Sequence, residues 1–210
     1  MGAGRPVGSD IVSLREHGEQ IDVAANRIIA AYLESFGRLV AGVDCEAVVR
    51  VVDLLRSARD AGQAVYVAGN GGSAATASHF VNDLGKATRQ SGGAPFRALC
   101  LSDNISWLTA LANDEGYERA FAGQLENFAS PGDVLVVISA SGNSPNVVAA
   151  VELARERGVR SVGLLGFDGG RLKDLVDEAV WVETESGQYG PVETMHTLIC
   201  DLVTSCLTEG

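Results

Sequence analysis

The apolar positions divide the chain into two regimes. From Asp10 to about Gly42 they recur at helical spacing, through Ile21, Val23, Ile28, Ile29, Tyr32, Leu33, Phe36 and Leu39. Asp44 is placed to cap a second helix, with Val48, Val49, Val52, Leu54 and Leu55 as its buried side and Gly62 just past its end. Beyond this the pattern changes to short apolar runs: QAVYVAG, RALCL, DVLVVIS, RSVGLLG and EAVWVE. They are rich in Val and Leu and alternate little, as strands do when helices cover both faces of a sheet. Helical segments lie between them at 73–88, about 104–126, 144–158 and near 170–176, and a last one runs from about Pro191 to Leu207. The alternation predicts a doubly wound α/β fold: a parallel sheet of about five strands, helices on both faces, and an N-terminal helical extension. Residues 1–9 read as a flexible tail and 10–210 as one domain that includes the N-terminal helices.

Composition narrows the function classes. The chain has 210 residues, 46% apolar and 20% charged, as expected of one globular domain. A net charge of −11 argues against a nucleic-acid partner, which needs a basic surface, but leaves room for one small phosphorylated ligand. Four cysteines form no C-x-x-C pair, and three sit in apolar runs, which predicts buried free thiols in a reducing cytoplasm. No apolar stretch is long enough to span a membrane, and MGAGRPVGSD has no signal-peptide core.

Two strand ends carry candidate chemistry. VAGNGGS ends at Ser73, and ISASGNSPN runs from Ile138 to Asn146. Both place small residues where a strand gives way to a helix, the edge at which open parallel sheets bind ligands. In the second, Ser139, Ser141 and Ser144 offer hydroxyls, Gly142 lets the backbone turn, and Ser144-Pro145 suits a helix start. Free N–H groups, hydroxyls and a helix N-terminus together suit a phosphate dianion. The alternative is a capped, serine-rich turn. No G-x-x-x-x-G-K-[ST] is present, which argues against a nucleotide.

GNGGSAATASHF, LANDEGYE, ISASGNS and the ETMH segment, in that order, resemble the SIS (sugar isomerase) domain family, whose fold is flavodoxin-like. The likeness is to its phosphoheptose isomerase branch, which interconverts sedoheptulose 7-phosphate and D-glycero-D-manno-heptose 7-phosphate. The resemblance implies substrate contacts from Asn70, Gly71, Gly72, Ser73, Asn113 and Asp114, and a phosphate loop of Ser139, Ala140, Ser141 and Ser144. Most members have threonine where this chain has Ala140. The resemblance also implies a homotetramer with pockets at subunit boundaries.

The branch is expected to use a glutamate and a histidine as its acid/base pair, with a zinc ion held by His, Glu, Gln and His. Here those positions fall on His79, Asp83, Glu193 and Asp201. Asp83, Asp201 and His79 are thus the candidate catalytic residues; Glu193 is a candidate substrate contact, and all four are candidate metal ligands. Three carboxylates and one imidazole suit manganese or magnesium better than zinc. His79 and Asp83 share a helix face and serve either as an intrahelical contact on a solvated surface or as functional groups. Asp201 is either part of a polar stripe or functional; an aspartate there needs burial or a carboxylate neighbour to work near neutrality. Glu193 and Asp201 lie about 12 Å apart along one helix axis. His196 reads as a hydrogen-bonded core residue. Three functions remain: this isomerisation, isomerisation of another sugar phosphate, or a non-catalytic sugar-phosphate-binding regulator of the kind that associates with a replication initiator.

Overall fold

The computed structural model describes residues 8–91 and 93–209. Residues 1–7 of the expected tail lie outside them, and helix α1 (Gly8–Ala41) already includes Gly8 and Ser9. Contacts divide the chain into a unit ending at Ala41 and a unit from Gly42 onward. Along α1 the apolar side chains Val23, Ile28, Ile29, Tyr32, Leu33 and Val40 are exposed.

In the second unit, α2 (Cys45–Asp60) starts at Asp44, whose carboxylate accepts the Ala47 N–H at 3.0 Å. Its buried side is Ala47, Val48, Val51, Val52, Leu55 and Ala58; Val49 faces outward at 54% exposure. Then follow β1 (Ala64–Gly69), α3 (Gly72–Lys86), β2 (Arg97–Cys100), α4 (Ile105–Asp114), α5 (Arg119–Phe128), β3 (Val134–Ser139), α6 (Pro145–Glu156), β4 (Arg160–Leu165), β5 (Glu178–Trp181) and α7 (Tyr189–Glu209). The five strands are parallel in the order β2-β1-β3-β4-β5. α2, α3 and α7 pack together on one face, and α4, α5 and α6 on the other.

Three expectations change. The helix expected over 104–126 is two helices, because Gly116 at φ +98° turns the chain between them. The segment near 170–176 is a single 3-10 turn, Arg171–Asp174. Of the four thiols, Cys100 and Cys200 are buried but Cys45 and Cys206 are exposed, since each lies on the outer side of its helix.

Candidate active site

The order of a doubly wound sheet reverses between β1 and β3, and the crevice beyond their carboxyl ends is where such folds take ligands. A cleft opens there, lined by Asn70, Ser73, Ile138, Ser139, Ala140, Ser141, Ser144, Tyr189 and Glu193. Three helices begin at it. Gly71 stands at the N-cap of α3 with φ +54°, Ser144 at that of α6, and Tyr189 opens α7. Each points the positive end of its backbone dipole at the crevice. Among the described residues Glu193 is the one charged side chain in the lining, and no arginine or lysine is found there.

The loop from Ser139 to Ser144 is braced from behind. Gly142, at φ +60°, donates its N–H to Ser139 Oγ at 3.1 Å, and its carbonyl accepts the Leu172 N–H at 3.0 Å. A Cβ on Gly142 would overlap the Gly169 carbonyl, and one on Gly170 the Ser141 carbonyl, so the two loops touch backbone to backbone. Asn143 closes the contact, accepting the Arg171 N–H at 3.0 Å. Ser144 caps α6 through its carbonyl, while its side chain makes no capping bond. Ala140 packs with Phe167 and Val192. Phe167 has φ +48° and stands edge-on to Tyr189, with ring centres 5.1 Å apart.

α3 and α7 run side by side from the cleft in the same direction. The carboxylate of Glu193 lies over Gly72, where any Cβ would meet it. One turn on, the Thr76 and Thr197 hydroxyls are 3.2 Å apart. One turn further, His79, Asp83 and Asp201 gather, with a ligating atom of each within 4.8 Å of the others. His79 Nε2 is 3.3 Å from Asp83 Oδ2, and Asn82 donates to Asp83 Oδ1 at 3.0 Å. His79 and Asp201 are exposed. One imidazole and two carboxylates in this arrangement fit a divalent cation. Glu193 stands apart from this trio, at the cleft.

The other expected residues take separate places. Asn113 and Asp114 end α4, exposed and bonded to each other at 2.7 Å; neither lines the cleft. His196 is buried in the core at 0% exposure, one turn after Glu193. Neither ring nitrogen has a hydrogen-bond partner among the described residues. Burial pushes its pKa down to about 4; the nearby Leu165 carbonyl opposes this in part without hydrogen-bond alignment. Burial likewise raises the Cys200 thiol, with Asp201 and Asp83 adding to the effect.

The SIS-domain profile matches residues 31–166, more than half of the chain. This chain belongs to the SIS-domain family. The phosphoheptose isomerase of Geobacter sulfurreducens is 40% identical over 198 residues, 92% of this chain and 95% of that relative. That of Citrifermentans bemidjiense is 45% identical over 161 residues, 75% of this chain and 82% of the relative. The solved phosphoheptose isomerase of Neisseria gonorrhoeae superposes with a TM-score of 0.79 at 29% identity, covering 89% of this chain and all of that one. The fold is therefore the expected SIS α/β sheet.

Three residues of this SIS domain stand at the cleft without having been singled out from the sequence. Tyr189 lines it; Asn146 and Tyr117 hold Asn70 from behind. Asn146 lies inside the quoted ISASGNSPN stretch and Tyr117 inside LANDEGYE, but their roles depend on partners far along the chain.

Proposed function

We propose that this SIS domain is a phosphoheptose isomerase, interconverting sedoheptulose 7-phosphate and D-glycero-D-manno-heptose 7-phosphate through an enediol. The observation that carries the reading is the placement of two polar centres on one parallel helix pair. The cradle at Ser73 and Glu193 opens the pair; His79, Asp83 and Asp201 stand about two to three turns along it. His79 lies six positions after Ser73 on the helix, about 9 Å of axial rise. An extended seven-carbon chain spans a comparable length between its phosphate and its carbonyl end.

In this reading the N–H groups and hydroxyls around Asn70–Ser73 and Ser139–Ser144, Ala140 included, hold the phosphate end. Glu193 takes sugar hydroxyls, and Asn113 and Asp114 belong to a pocket completed at a subunit boundary. Asp83 and Asp201, with His79, move the protons: one group removes a proton from the hydroxyl-bearing carbon beside the carbonyl while another protonates the carbonyl oxygen, giving the enediol. The other enediol hydroxyl then loses its proton as the former carbonyl carbon is protonated, which forms the new carbonyl. His79, Asp83 and Asp201 would hold a divalent ion, zinc by resemblance or a harder ion by donor type. Bound there, it would polarise the substrate oxygens.

Residues 10–210 form one SIS domain in this reading, and the profile match across Ala41 supports that. The exposed apolar side chains of α1 support a homotetramer. Four free thiols fit a reducing cytoplasm, and no helix among the described residues is long and apolar enough to cross a membrane.

One feature favours a second reading: Asp201 stands where the isomerases carry histidine, so the fold could serve as a non-catalytic sugar-phosphate-binding regulator. Incubation with sedoheptulose 7-phosphate in deuterated water separates the two. Deuterium entering the C1–C2 unit is the expected result; tight binding without exchange would favour the regulator. Other ketose phosphates in the same assay test for a different substrate. Elemental analysis of the purified protein identifies the ion.

A further inference from the structure

The two lips of the crevice are joined by a pair of side-chain amides. Asn70, just past β1, donates from Nδ2 to Asn146 Oδ1 at 2.9 Å, and Asn146, at the start of α6, donates from Nδ2 to Asn70 Oδ1 at 2.8 Å. Tyr117, from the turn between α4 and α5, adds its hydroxyl to Asn70 Oδ1 at 2.9 Å. Asn146 is buried, and its Oδ1 also lies 3.0 Å from the backbone N–H of Val147.

That backbone N–H fixes the polarity of the whole arrangement. A main-chain N–H can only donate, so the Asn146 atom facing it is the oxygen. The Asn70 atom facing the same oxygen must then be nitrogen, and the Asn70 oxygen must face Asn146 Nδ2 and the Tyr117 hydroxyl. Both lone pairs of Asn70 Oδ1 are thereby occupied. What Asn70 has left for the cleft is one N–H.

We infer that Asn146 and Tyr117 are positioning residues that make Asn70 an obligate hydrogen-bond donor to an oxygen of the bound sugar phosphate. An asparagine free to rotate would offer its carbonyl as readily as its amide, and the carbonyl would repel an anionic or carbonyl oxygen. Holding the oxygen on two donors removes that option before the ligand arrives, which lowers the ordering cost of binding. The amide pair also sets the width of the crevice, because it ties the segment after β1 to the helix after β3. This rests on the sugar-phosphate reading of the cleft proposed above.

The test is the dissociation constant for sedoheptulose 7-phosphate by titration calorimetry, with KM and kcat beside it. Tyr117→Phe removes one donor from an exposed side chain and is not expected to disturb folding. Loss of one net hydrogen bond predicts about a fivefold weaker affinity and a higher KM at unchanged kcat. In an Asn70→Ala background the same substitution should change nothing, because Tyr117 acts through Asn70. Asn146→Ala should behave likewise; if it fails to fold, Tyr117→Phe carries the test by itself. Unchanged affinity in Tyr117→Phe, an equal loss in the Asn70→Ala background, or no binding by the unaltered protein would each overturn the inference. Binding without turnover would instead overturn the isomerase reading and leave the affinities to decide this one.

Discussion

At Gly142 three constraints meet. Its φ of +60° lies in the region that favours glycine, its Cβ direction is blocked by the Gly169 carbonyl, and both its N–H and its C=O are bonded. Gly142→Ala should therefore lose about 1–3 kcal/mol of stability, read by chemical denaturation, and bind sugar phosphate more weakly, read by calorimetry. His196 gives a second expectation. Its folded pKa of about 4 lies below the usual histidine value of 6.5, so the folded state holds it neutral while the unfolded chain takes up a proton. The stability this residue contributes is complete above pH 6.5 and is lost as pH falls toward 4, a change of about 3 kcal/mol. Denaturation of His196→Gln between pH 7 and 4.5 should show a shallower decline than the unaltered protein. The serine loop was legible in the sequence because its chemistry is local: hydroxyls, a glycine and a helix start within six positions. The bracing by Gly169, Gly170 and Arg171 was not, because the loop after β4 reaches it only through the fold. The unpartnered ring of His196 was not legible either, since burial is visible in an apolar run but the lack of a partner is not.

At the scale of elements, end signals and apolar periodicity decided most of what could be read. Asp44 caps α2 as its side-chain chemistry predicts, and Asp44→Ala should cost about 1 kcal/mol in thermal unfolding while leaving activity unaltered, since α2 does not reach the cleft. All five strands lie where unalternating apolar runs placed them. The break between α4 and α5 was missed because apolar residues continue on both sides of it; a single left-handed glycine does what no change of pattern announces. Val49 shows the reverse error. Apolar residues at neighbouring positions 48, 49, 51 and 52 cannot all face inward on one helix, and the structure turns Val49 out. The seam between α3 and α7 was invisible before folding: Gly72 with Glu193, and Thr76 with Thr197, meet across more than a hundred residues.

The whole molecule combines a net charge of −11 with a candidate cleft that has no basic side chain in its lining among the described residues. If main-chain amides at the three helix starts hold the proposed phosphate, its binding should depend less on salt than at a site built on lysine or arginine. The exposed apolar stripe of α1 leads to a prediction at this scale. If it seats on other copies of the chain, Ile28→Glu combined with Leu33→Glu should reduce a tetramer to smaller species, read by light scattering after size exclusion. Unchanged mass would remove α1 from the assembly.

The pairing of α3 with α7 has one more implication. In the proposed reading the α3 side of the cradle and the proton-transfer groups sit on the same two rods, so the distance from Ser73 to His79, Asp83 and Asp201 is set by helical rise, which side-chain rearrangement alters little. Such a pair works as a ruler. A phosphorylated sugar two carbons shorter would be held firmly by its ester and still fall short of Asp83 and Asp201, and the enzyme would discriminate among substrates by reach as well as by the pattern of their hydroxyls.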